Sequence, residues 1–350
     1  MPQADFSATE TSVDELVALR TEAMARLRGS QKRVRHQKSG LSSSAMLGRG
    51  LDFAEVRAYQ PGDDVRNMDW NVTARTGIAH TKLFVEERET PCFLMVDMRS
   101  SMWFATRGAY KSMQAARIAA LLGWCAVAAN DRVGGIVFGD TWHREVRPRS
   151  GRNGLMQLIR HMVLADDNRR IDDPSAPLSD PADALLQNLQ RLQQLARRGG
   201  ELYVLSDFAG VLAKTPKTGV KPLHSNQIGQ SDNTPVSDLL RAIAHHGNLT
   251  LLRIHDPLEV EFPQPGQYFV QSLGRRSLLD TLTPKRRDQH AERFTEISRL
   301  LSKVAGRRYL RLVTTRERPA DVLDTLLKGY VIVEDDVAGN ETAAVQTARS

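Results

Sequence analysis

The feature that most constrains the fold is an alternation of short apolar segments with longer helical patterns, which begins at Cys92. The apolar segments lack the polar alternation of a strand with one wet face, so they are typical of strands buried on both faces. Strands of this kind that alternate with helices predict a doubly wound, mostly parallel α/β sheet. The predicted strands are CFLMVD at 92–97, RVGGIVF at 132–138, ELYVL at 201–205 and LTLLRIH at 249–255.

Helical spacing of apolar residues predicts the elements that connect these strands. The predicted helices cover residues 110–129, 155–164, 182–197, 236–246, 288–304 and 320–327. Two more strands are expected, a short one at 267–271 near the end of the sheet and another at 308–313. The stretches 165–181 and 213–235 are rich in polar residues, Gly and Pro, and we expect both to be surface loops.

The chain before this alternation is rich in charges and turn-forming residues. Pro61-Gly62 predicts a tight turn, because proline sets one dihedral angle and glycine supplies the next. Thr76-Gly77 predicts a hairpin turn ahead of a strand at 79–86. The predicted organisation is a disordered tail at 1–12, a helix and basic arm at 13–47 with the helix over 13–27, a segment packed on the domain at 48–90, the domain itself at 91–335 and a disordered tail at 336–350.

The net charge of +7 is mild for this length, so its distribution matters more than its size. A basic cluster, which we call the basic arm, falls in residues 26–38 and comprises Arg26, Arg28, Lys32, Arg33, Arg35 and Lys38. Such a cluster is either a solvated arm or a patch for an acidic partner.

Cysteine usage and apolar run lengths indicate the compartment. Cys92 and Cys125 both lie in apolar segments, so we expect buried thiols and no disulfide. The run at 118–129 is too short to cross a bilayer, and the polar, acidic start of the chain lacks the pattern of a signal peptide. We therefore expect a soluble cytoplasmic protein with no membrane partner.

Acidic and hydroxyl residues follow three of the predicted strands. Asp97 ends the first, Ser206-Asp207 follow the third, and His255-Asp256 follow the fourth. The carboxyl ends of parallel strands share one edge of a sheet, which is where ligands bind in such folds. Carboxylate and hydroxyl oxygens are the ligands that Mg²⁺ prefers. This edge is therefore the predicted functional site.

Asp-x-Ser-x-Ser after the first strand is the hallmark of the metal-ion-dependent adhesion site of von Willebrand factor A domains, a Rossmann-type fold. The chain resembles that pattern at Asp97 and Ser101, and at Asp207 after a later strand. A weaker match for the threonine of that site is Ser179, at five residues before Ala184. The resemblance implies that Asp97, Ser101, Ser179 and Asp207 are metal ligands and that Mg²⁺ is the cofactor.

Arg99 departs from this pattern, because it replaces the first serine and a guanidinium cannot bind a metal ion. Two arrangements are open. Arg99 replaces the metal in a fixed cluster of ion pairs, or the loop shifts so that Ser100 becomes a ligand and Arg99 points to solvent. In either case Arg99 and Ser100 are expected at the partner-binding edge. A plainer alternative is that Asp97 and Ser101 only cap the following helix.

A longer pattern lies at residues 48–77. It includes Gly48-Arg49-Gly50-Leu51-Asp52-Phe53, Tyr59-Gln60-Pro61-Gly62-Asp63-Asp64-Val65-Arg66, Met68-Asp69-Trp70-Asn71 and Ala74-Arg75-Thr76-Gly77. It closely resembles the signature of bacterial domain-of-unknown-function family 58, in which it leads into a von Willebrand A-like domain. Arg57, Arg66, Asp69 and Trp70 are candidate partner-binding residues in this segment. The alternative is that the segment only covers an edge of the sheet.

Catalytic motifs are not evident in the sequence. Gly48-Arg49-Gly50 lacks the lysine of a phosphate-binding loop, and no Gly-x-Ser-x-Gly motif is present. We therefore expect a non-enzymatic protein-interaction module. The family resemblance implies an adaptor that works with a MoxR-type AAA+ ATPase in chaperone-like or complex-maturation activity. Two alternatives stay open. One is nucleic-acid binding through the basic arm, although the arm contains no interleaved aromatic residues on which bases could stack. The other is a metal-dependent hydrolase.

Overall fold

The structure is a computed structural model of the chain. It describes residues 10–37, 51–86, 89–106, 108–169, 181–196, 200–212, 234–260, 264–272, 275–282, 284–305, 309–313 and 317–327. The chain divides into a larger unit, Met1–Gln31 with Thr90–Ser350, and a smaller unit, Lys32–Glu89. The predicted tails fall almost entirely outside the described residues, as do most of the loops predicted at 165–181 and 213–235, although the helix before the first loop continues to Arg169.

The helices and strands are as follows in chain order. The helices are α1 Val13–Gln37, α2 Trp70–Thr76, α3 Lys111–Ala128, α4 Asn153–Arg169, α5 Pro181–Leu195, α6 Pro235–His246, α7 Pro257–Val260, α8 Pro284–Ala305 and α9 Pro319–Leu327 among the described residues. The strands are β1 Leu51–Ala58, β2 His80–Glu86, β3 Pro91–Asp97, β4 Arg132–Phe138, β5 His143–Arg149, β6 Glu201–Ser206, β7 Asn248–His255, β8 Gln267–Ser272, β9 Arg275–Asp280 and β10 Tyr309–Val313. Short 3-10 turns cover Val65–Asn67 and Ser100–Met102.

The larger unit is built on one mixed sheet with the strand order β10-β7-β6-β3-β4-β5. All its pairings are parallel except that of β5, which runs antiparallel to β4. From β3 the chain proceeds to β4 and β5 at one edge, then crosses to β6 on the other side of β3. The predicted α/β fold with a mostly parallel sheet is confirmed. The reversal of direction occurs at β3, which therefore lies at the switch point where ligands bind in open α/β sheets.

Both faces of the sheet are covered by apolar side chains, which explains the unbroken apolar run of β3. Leu94 and Val96 point to one face and pack with buried residues of α1, α3, α4 and α9. Phe93 and Met95 point to the opposite face and pack with α5, α6 and α8. All four side chains are almost completely buried. Burial of each side chain contributes about 1.5–3 kcal/mol of transfer free energy. Because its side chains enter both clusters, β3 is the central strand of two cores.

The N-terminal helix is longer than the sequence predicted. α1 continues from Val13 to Gln37 rather than ending near Leu27, so the basic arm is helical as far as Gln37. Leu16 and Leu19 of α1 are buried against α3, and Trp124 Nε1 donates a hydrogen bond to the Leu16 carbonyl oxygen at 3.0 Å. The packing of its first half anchors a helix whose second half is rich in positive charge.

The smaller unit contains a two-stranded antiparallel sheet, β1 with β2, and the short helix α2 between them. The Pro61-Gly62 turn is confirmed: Asp63 N donates to Gln60 O at 3.0 Å, and Gly62 has φ +109°. The predicted hairpin turn at Thr76-Gly77 is wrong. Gly77, at φ 71°, instead ends α2 in the left-handed conformation that favours glycine at a helix C-terminus.

The strand predicted at 267–271 is present but does not belong to the main sheet. β8 pairs only with β9 in a separate antiparallel hairpin among the described residues. The prediction failed because a short apolar run carries no information on its pairing partner. The hairpin places Phe269 opposite Leu278, and both are exposed.

Both cysteine thiols are buried and free, as predicted. Burial raises the pKa of Cys125 to about 11, and it also raises the pKa of Cys92, whose thiol is disfavoured further by Asp131. In the described part of the chain, the helices are too short or too polar to cross a membrane.

Replacement of Gly135 by alanine should disrupt the centre of the sheet. A Cβ at Gly135 would lie 1.9 Å from the Leu94 carbonyl oxygen, so β3 and β4 would have to separate. We expect Gly135→Ala to lower the free energy of unfolding by about 4 kcal/mol. Gly151→Ala is the control, because Gly151 has φ +68° but open space around it, and it should cost only about 1–2 kcal/mol of backbone strain. Urea unfolding measures both values, and equal losses would contradict the close approach of the strands.

Candidate functional site

The side chains predicted to share one edge of the sheet do lie together. β3, β6 and β7 are adjacent and parallel, and they end at Asp97, Ser206 and His255. Asp207 and Asp256 follow the second and third of these strands directly. The site is therefore formed by backbone geometry, since each strand delivers its last side chain to the same end of the sheet.

Arg99 is the central group of this site. Its side chain has no exposed surface, and neither does that of Asp97. Arg99 Nη2 lies 2.6 Å from Asp97 Oδ2, and Arg99 Nε lies 3.0 Å from both carboxylate oxygens. A guanidinium that binds a carboxylate through two nitrogens makes the strongest ion pair that side chains offer.

The loop after β3 is folded so that the Arg99 side chain turns inward. Arg99 N donates to Asp97 Oδ1 at 2.9 Å, which closes a tight turn at the end of the strand. Ser100 N donates to Asp140 Oδ2 at 2.8 Å, so the next residue is held by the loop after β4. Asp97 therefore caps its own loop, whereas α3 begins later, after Tyr110.

Residues at and just after the end of β6 also contact Asp97 and Arg99. Ser206 Oγ donates to Asp97 Oδ2 at 2.6 Å and accepts from Phe208 N at 2.8 Å. Arg99 Nη1 donates to the Ala209 carbonyl oxygen at 3.0 Å. Phe208 has φ 56°, a left-handed conformation that is strained for an aromatic residue. Such strain persists only where surrounding contacts hold it, and the site supplies them.

Lys111 is a second buried cation, which the sequence reasoning missed. Its ammonium lies 3.0 Å from Asp207 Oδ2 and 2.5 Å from Glu259 Oε1, and its side chain is 1% exposed. Arg99 Nη2 reaches the other Asp207 oxygen at 3.4 Å. A signal was present: Lys111 begins α3, where a positive charge opposes the helix dipole and needs a carboxylate to compensate.

We name Asp97, Arg99, Asp207, Lys111 and Glu259 the charge cluster. Burial raises the pKa of Asp97, and the Arg99 guanidinium opposes that rise. Burial also acts to raise the pKa of Asp207, but Lys111 and Arg99 outweigh it and hold the pKa below its ordinary value. Burial acts to lower the pKa of Lys111, but Asp207 and Glu259 outweigh it, so its pKa is raised. The two cations are therefore stabilised in their charged form by the carboxylates between which they lie.

Asp256 at the end of β7 holds a different loop. Its two oxygens accept from Thr106 N at 2.8 Å and from Thr106 Oγ1 at 2.7 Å. Glu259 Oε2 accepts from Asp256 N at 2.9 Å, while its other oxygen binds Lys111. The loop from Arg99 to Thr106 is thus held near both ends by carboxylates, Asp140 after β4 and Asp256 after β7.

The remaining predicted metal ligands are placed less favourably. Ser179 lies outside the described residues. The hydroxyl oxygen of Ser101 is buried and makes no well-formed hydrogen bond, although the group helps to lower the pKa of Asp207. Ser100 is half-buried, and its backbone N donates to Asp140.

The residues present do not fit a divalent cation. The Asp97 oxygens are taken by Arg99 and Ser206, and the Asp207 oxygens are taken by Lys111, Arg99 and Ala209 N. Within the described ranges, no group of three or more His, Cys, Asp or Glu side chains is arranged to hold a metal ion. A metal would have to displace both cations before it could reach the two carboxylates.

The predicted partner-binding residues of the smaller unit fall into two groups. Arg57 pairs with Asp63 at 2.7 Å, and Asp69 caps α2 by accepting from Asn71 N and Val72 N at 3.1 Å. These groups hold the unit together. Arg66 and Trp70 are instead exposed, and Trp70 has 65% of its surface open to solvent. Arg57 and Asp69 therefore stabilise the smaller unit, whereas Arg66 and Trp70 are open to a partner. Arg99 of the larger unit is fully buried, so it too has a structural role.

Fold and site together define a class: an α/β protein with a mostly parallel sheet and buried, internally compensated charges at the ends of its central strands. The chain belongs to the family described as "Protein of unknown function DUF58", which it matches over residues 55–299. That match confirms the family to which the 48–77 signature pointed.

Two mycobacterial proteins and one protein of Bacillus subtilis are similar to this chain. The chain is 28% identical over 281 residues to the uncharacterized proteins Rv1480 of Mycobacterium tuberculosis and Mb1516 of Mycobacterium bovis, which is 79% of this chain and 78% of each relative. It is 39% identical over 69 residues to the uncharacterized protein YeaD of Bacillus subtilis, 19% of this chain and 17% of that one. The structure of a conserved hypothetical protein, BatB, from Bacteroides thetaiotaomicron matches 69% of this chain and 98% of its own at 12% identity, with a TM-score of 0.37.

Replacement of Lys111 by methionine should destabilise the larger unit strongly. Methionine fills similar space but leaves the buried Asp207 without one of its two cations. We expect Lys111→Met to lower the free energy of unfolding by about 3 kcal/mol, as is typical when one partner of a buried ion pair is removed. Arg241→Met is the matched control, because its pair with Asp238 is exposed and should contribute less than about 1 kcal/mol. Chemical unfolding measures both, and similar losses would show that the cluster contributes nothing special.

Proposed function

We propose that this chain is a non-enzymatic protein-interaction module with a von Willebrand factor A-like domain. In this proposal it acts in the cytoplasm as an adaptor for a MoxR-type AAA+ ATPase, in chaperone-like or complex-maturation activity. Its membership of the family supports the proposal, because the signature at 48–77 that resembles such adaptors lies mostly within the matched region. The ATPase would hydrolyse nucleotide, and this chain would supply recognition.

The observation that carries the proposal is the exposure of Trp70. A tryptophan with 65% of its surface in water gains a large amount of transfer free energy when a partner covers it. Val65 and Ile78 of the same small unit are also exposed, at 58% and 61%. Asp69 precedes α2 and His80 follows it, and Asp69 N donates to the His80 carbonyl oxygen at 2.8 Å, so the two ends of this segment lie side by side. The three apolar side chains therefore belong to one short, folded segment.

The charges of this segment indicate what the partner presents. Its carboxylates are used internally: Asp63 binds Arg57, Asp64 accepts from the backbone of Arg66, and Asp69 caps α2. The side chains of Arg66 and Arg75 are exposed, and neither pairs with a carboxylate of a described residue. A segment with exposed apolar side chains and two arginines that have no carboxylate partner among the described residues fits an acidic partner segment that carries an apolar anchor. Tryptophan and arginine are also the residue types that dominate binding energy at protein interfaces.

The charge cluster contributes to this function as a scaffold. It fixes the loop from Arg99 to Thr106, and loops fixed on a rigid sheet are where binding residues are commonly found. Ser100 is the member of the predicted partner-binding set that remains partly exposed in this loop.

The alternative of nucleic-acid binding through the basic arm receives less support from the structure. Arg26, the first residue of that arm, lies in α1 and pairs with Asp324, and it also lies 3.9 Å from Asp321 of α9. Those carboxylates compete with any phosphate for the same guanidinium.

Truncation of Trp70 should weaken recovery of the ATPase. The full chain, expressed in its native cells, is captured and its partners are identified by mass spectrometry, with an AAA+ ATPase expected. The affinity of the purified pair is then measured, and Trp70→Ala is expected to cost about 2 kcal/mol, roughly thirtyfold. Arg66→Glu should also weaken binding and reduce its salt dependence, because it reverses a charge that steers an acidic partner.

Phe269→Ala is the matched control, because Phe269 is an exposed aromatic residue of the larger unit and its removal should leave the affinity unchanged. If no AAA+ ATPase is recovered from native cells, the adaptor role is wrong. If the ATPase binds but Trp70→Ala has no effect, the assignment of the docking surface is wrong.

A further inference from the structure

Arg99 stands where the sequence pattern implies a metal ion, and its contacts are those of a built-in cation. The family pattern around Asp97, Ser101 and Asp207 would hold a divalent ion between two aspartates. In this chain the Arg99 guanidinium touches both aspartates, at 2.6 Å from Asp97 Oδ2 and 3.4 Å from Asp207 Oδ1. The position between the carboxylates is therefore already filled by positive charge.

Lys111 completes the replacement. It neutralises the Asp207 oxygen that Arg99 does not reach, and it extends the pairing to Glu259. Two cations face three carboxylates, so the charge cluster is nearly balanced without any ion. A divalent ion added to this cluster would place two more positive charges beside the two already present, in a site with little water to screen them.

The Arg99 guanidinium also makes contacts that depend on its planar shape and its several N–H donors, which a metal ion lacks. Arg99 Nη1 donates to the Ala209 carbonyl oxygen at 3.0 Å, and the guanidinium lies 5.7 Å from the ring centre of Phe138. A planar group with several fixed donors matches this environment of carboxylates, a carbonyl and a ring face. Removal of Arg99 into solvent would lose all of these contacts at once.

We infer that Arg99 and Lys111 permanently replace the divalent cation, so that the strand-end site is assembled without metal and does not respond to metal availability. This inference does not depend on the proposed adaptor function. It assigns to Arg99 a constitutive role: it keeps the loop after β3 in one arrangement whether or not Mg²⁺ or Mn²⁺ is present.

Metal titration of the full-length protein tests this inference. The protein is stripped with a chelator, and its thermal midpoint and Mn²⁺ binding are then measured, the latter by calorimetry and by electron paramagnetic resonance. The wild type should show no stoichiometric Mn²⁺ binding and no rise of its midpoint with Mn²⁺ or Mg²⁺. Saturable one-to-one Mn²⁺ binding to the wild type that disappears in Asp97→Asn would overturn the inference.

Arg99→Ser restores the serine of the metal-site pattern and removes the built-in cation. We expect this variant, alone or combined with Lys111→Met, to bind one Mn²⁺ ion, with a midpoint that rises by about 5 °C at saturating metal. A variant that folds only when Mn²⁺ is added supports the inference equally. A folded double variant that binds no Mn²⁺ would show that the aspartates do not form a cation site, and the inference would fail.

Two controls separate charge from position. Arg99→Lys keeps a cation between the aspartates and should remain insensitive to Mn²⁺, although it should melt at a lower temperature because the double contact with Asp97 is lost. Arg241→Ser removes one positive charge from the exposed surface and should gain no Mn²⁺ binding. Mn²⁺ binding by Arg241→Ser as strong as that by Arg99→Ser would show a non-specific charge effect and would contradict the inference.

Discussion

The arrangement of the sheet's carboxyl edge depends on the ion pair between Asp97 and Arg99. β3 is the central strand, and its last residue is a carboxylate without exposed surface. A buried charge of this kind is tolerable only when a partner and hydrogen bonds compensate it. Arg99 supplies both, and in doing so it fixes the turn that follows the strand. The position of the neighbouring elements at this edge follows from that pair, because Ser206 and the Ala209 carbonyl oxygen contact the same two residues.

From this pair, alternating charges run through Asp207 and Lys111 to Glu259, and they join β3, the end of β6, the start of α3 and α7. A series of buried ion pairs is weak evidence for stability, because desolvation offsets much of the attraction. Its value lies in geometry. The planar Arg99 guanidinium favours one orientation of Asp97, and Lys111 links Asp207 to Glu259, so the loops after three strands are connected to one another. The strained backbone of Phe208 is consistent with this reading, since a relaxed loop would not retain φ 56° at a non-glycine residue.

The sequence predicted the parts of this molecule that depend on periodicity, and it failed where partners are distant. The apolar runs located β3, β4, β6 and β7 closely because burial on both faces leaves a direct trace in residue type. The pairing of β8 with β9 leaves no such trace, and the strand predicted at 267–271 was assigned to the wrong sheet. At the site, Arg99 was recognisable as the residue that breaks a metal pattern. Lys111 was not noticed, because its carboxylate partners lie 96 and 148 positions away in the chain.

Arginine residues differ in their surroundings within this chain, and exposure separates those that hold the structure together from those that are open to a partner. Arg99 and Arg57 bind carboxylates of their own unit, so their ion pairs hold loops in place. Arg66 carries the same charge but has no such partner among the described residues, and it lies in one short folded segment with the exposed ring of Trp70. Recognition requires groups that are solvated when free and compensated only in the complex, because buried and paired groups have nothing further to gain from a partner. This contrast supports the proposal that a partner binds at Trp70 and Arg66 rather than at the charge cluster.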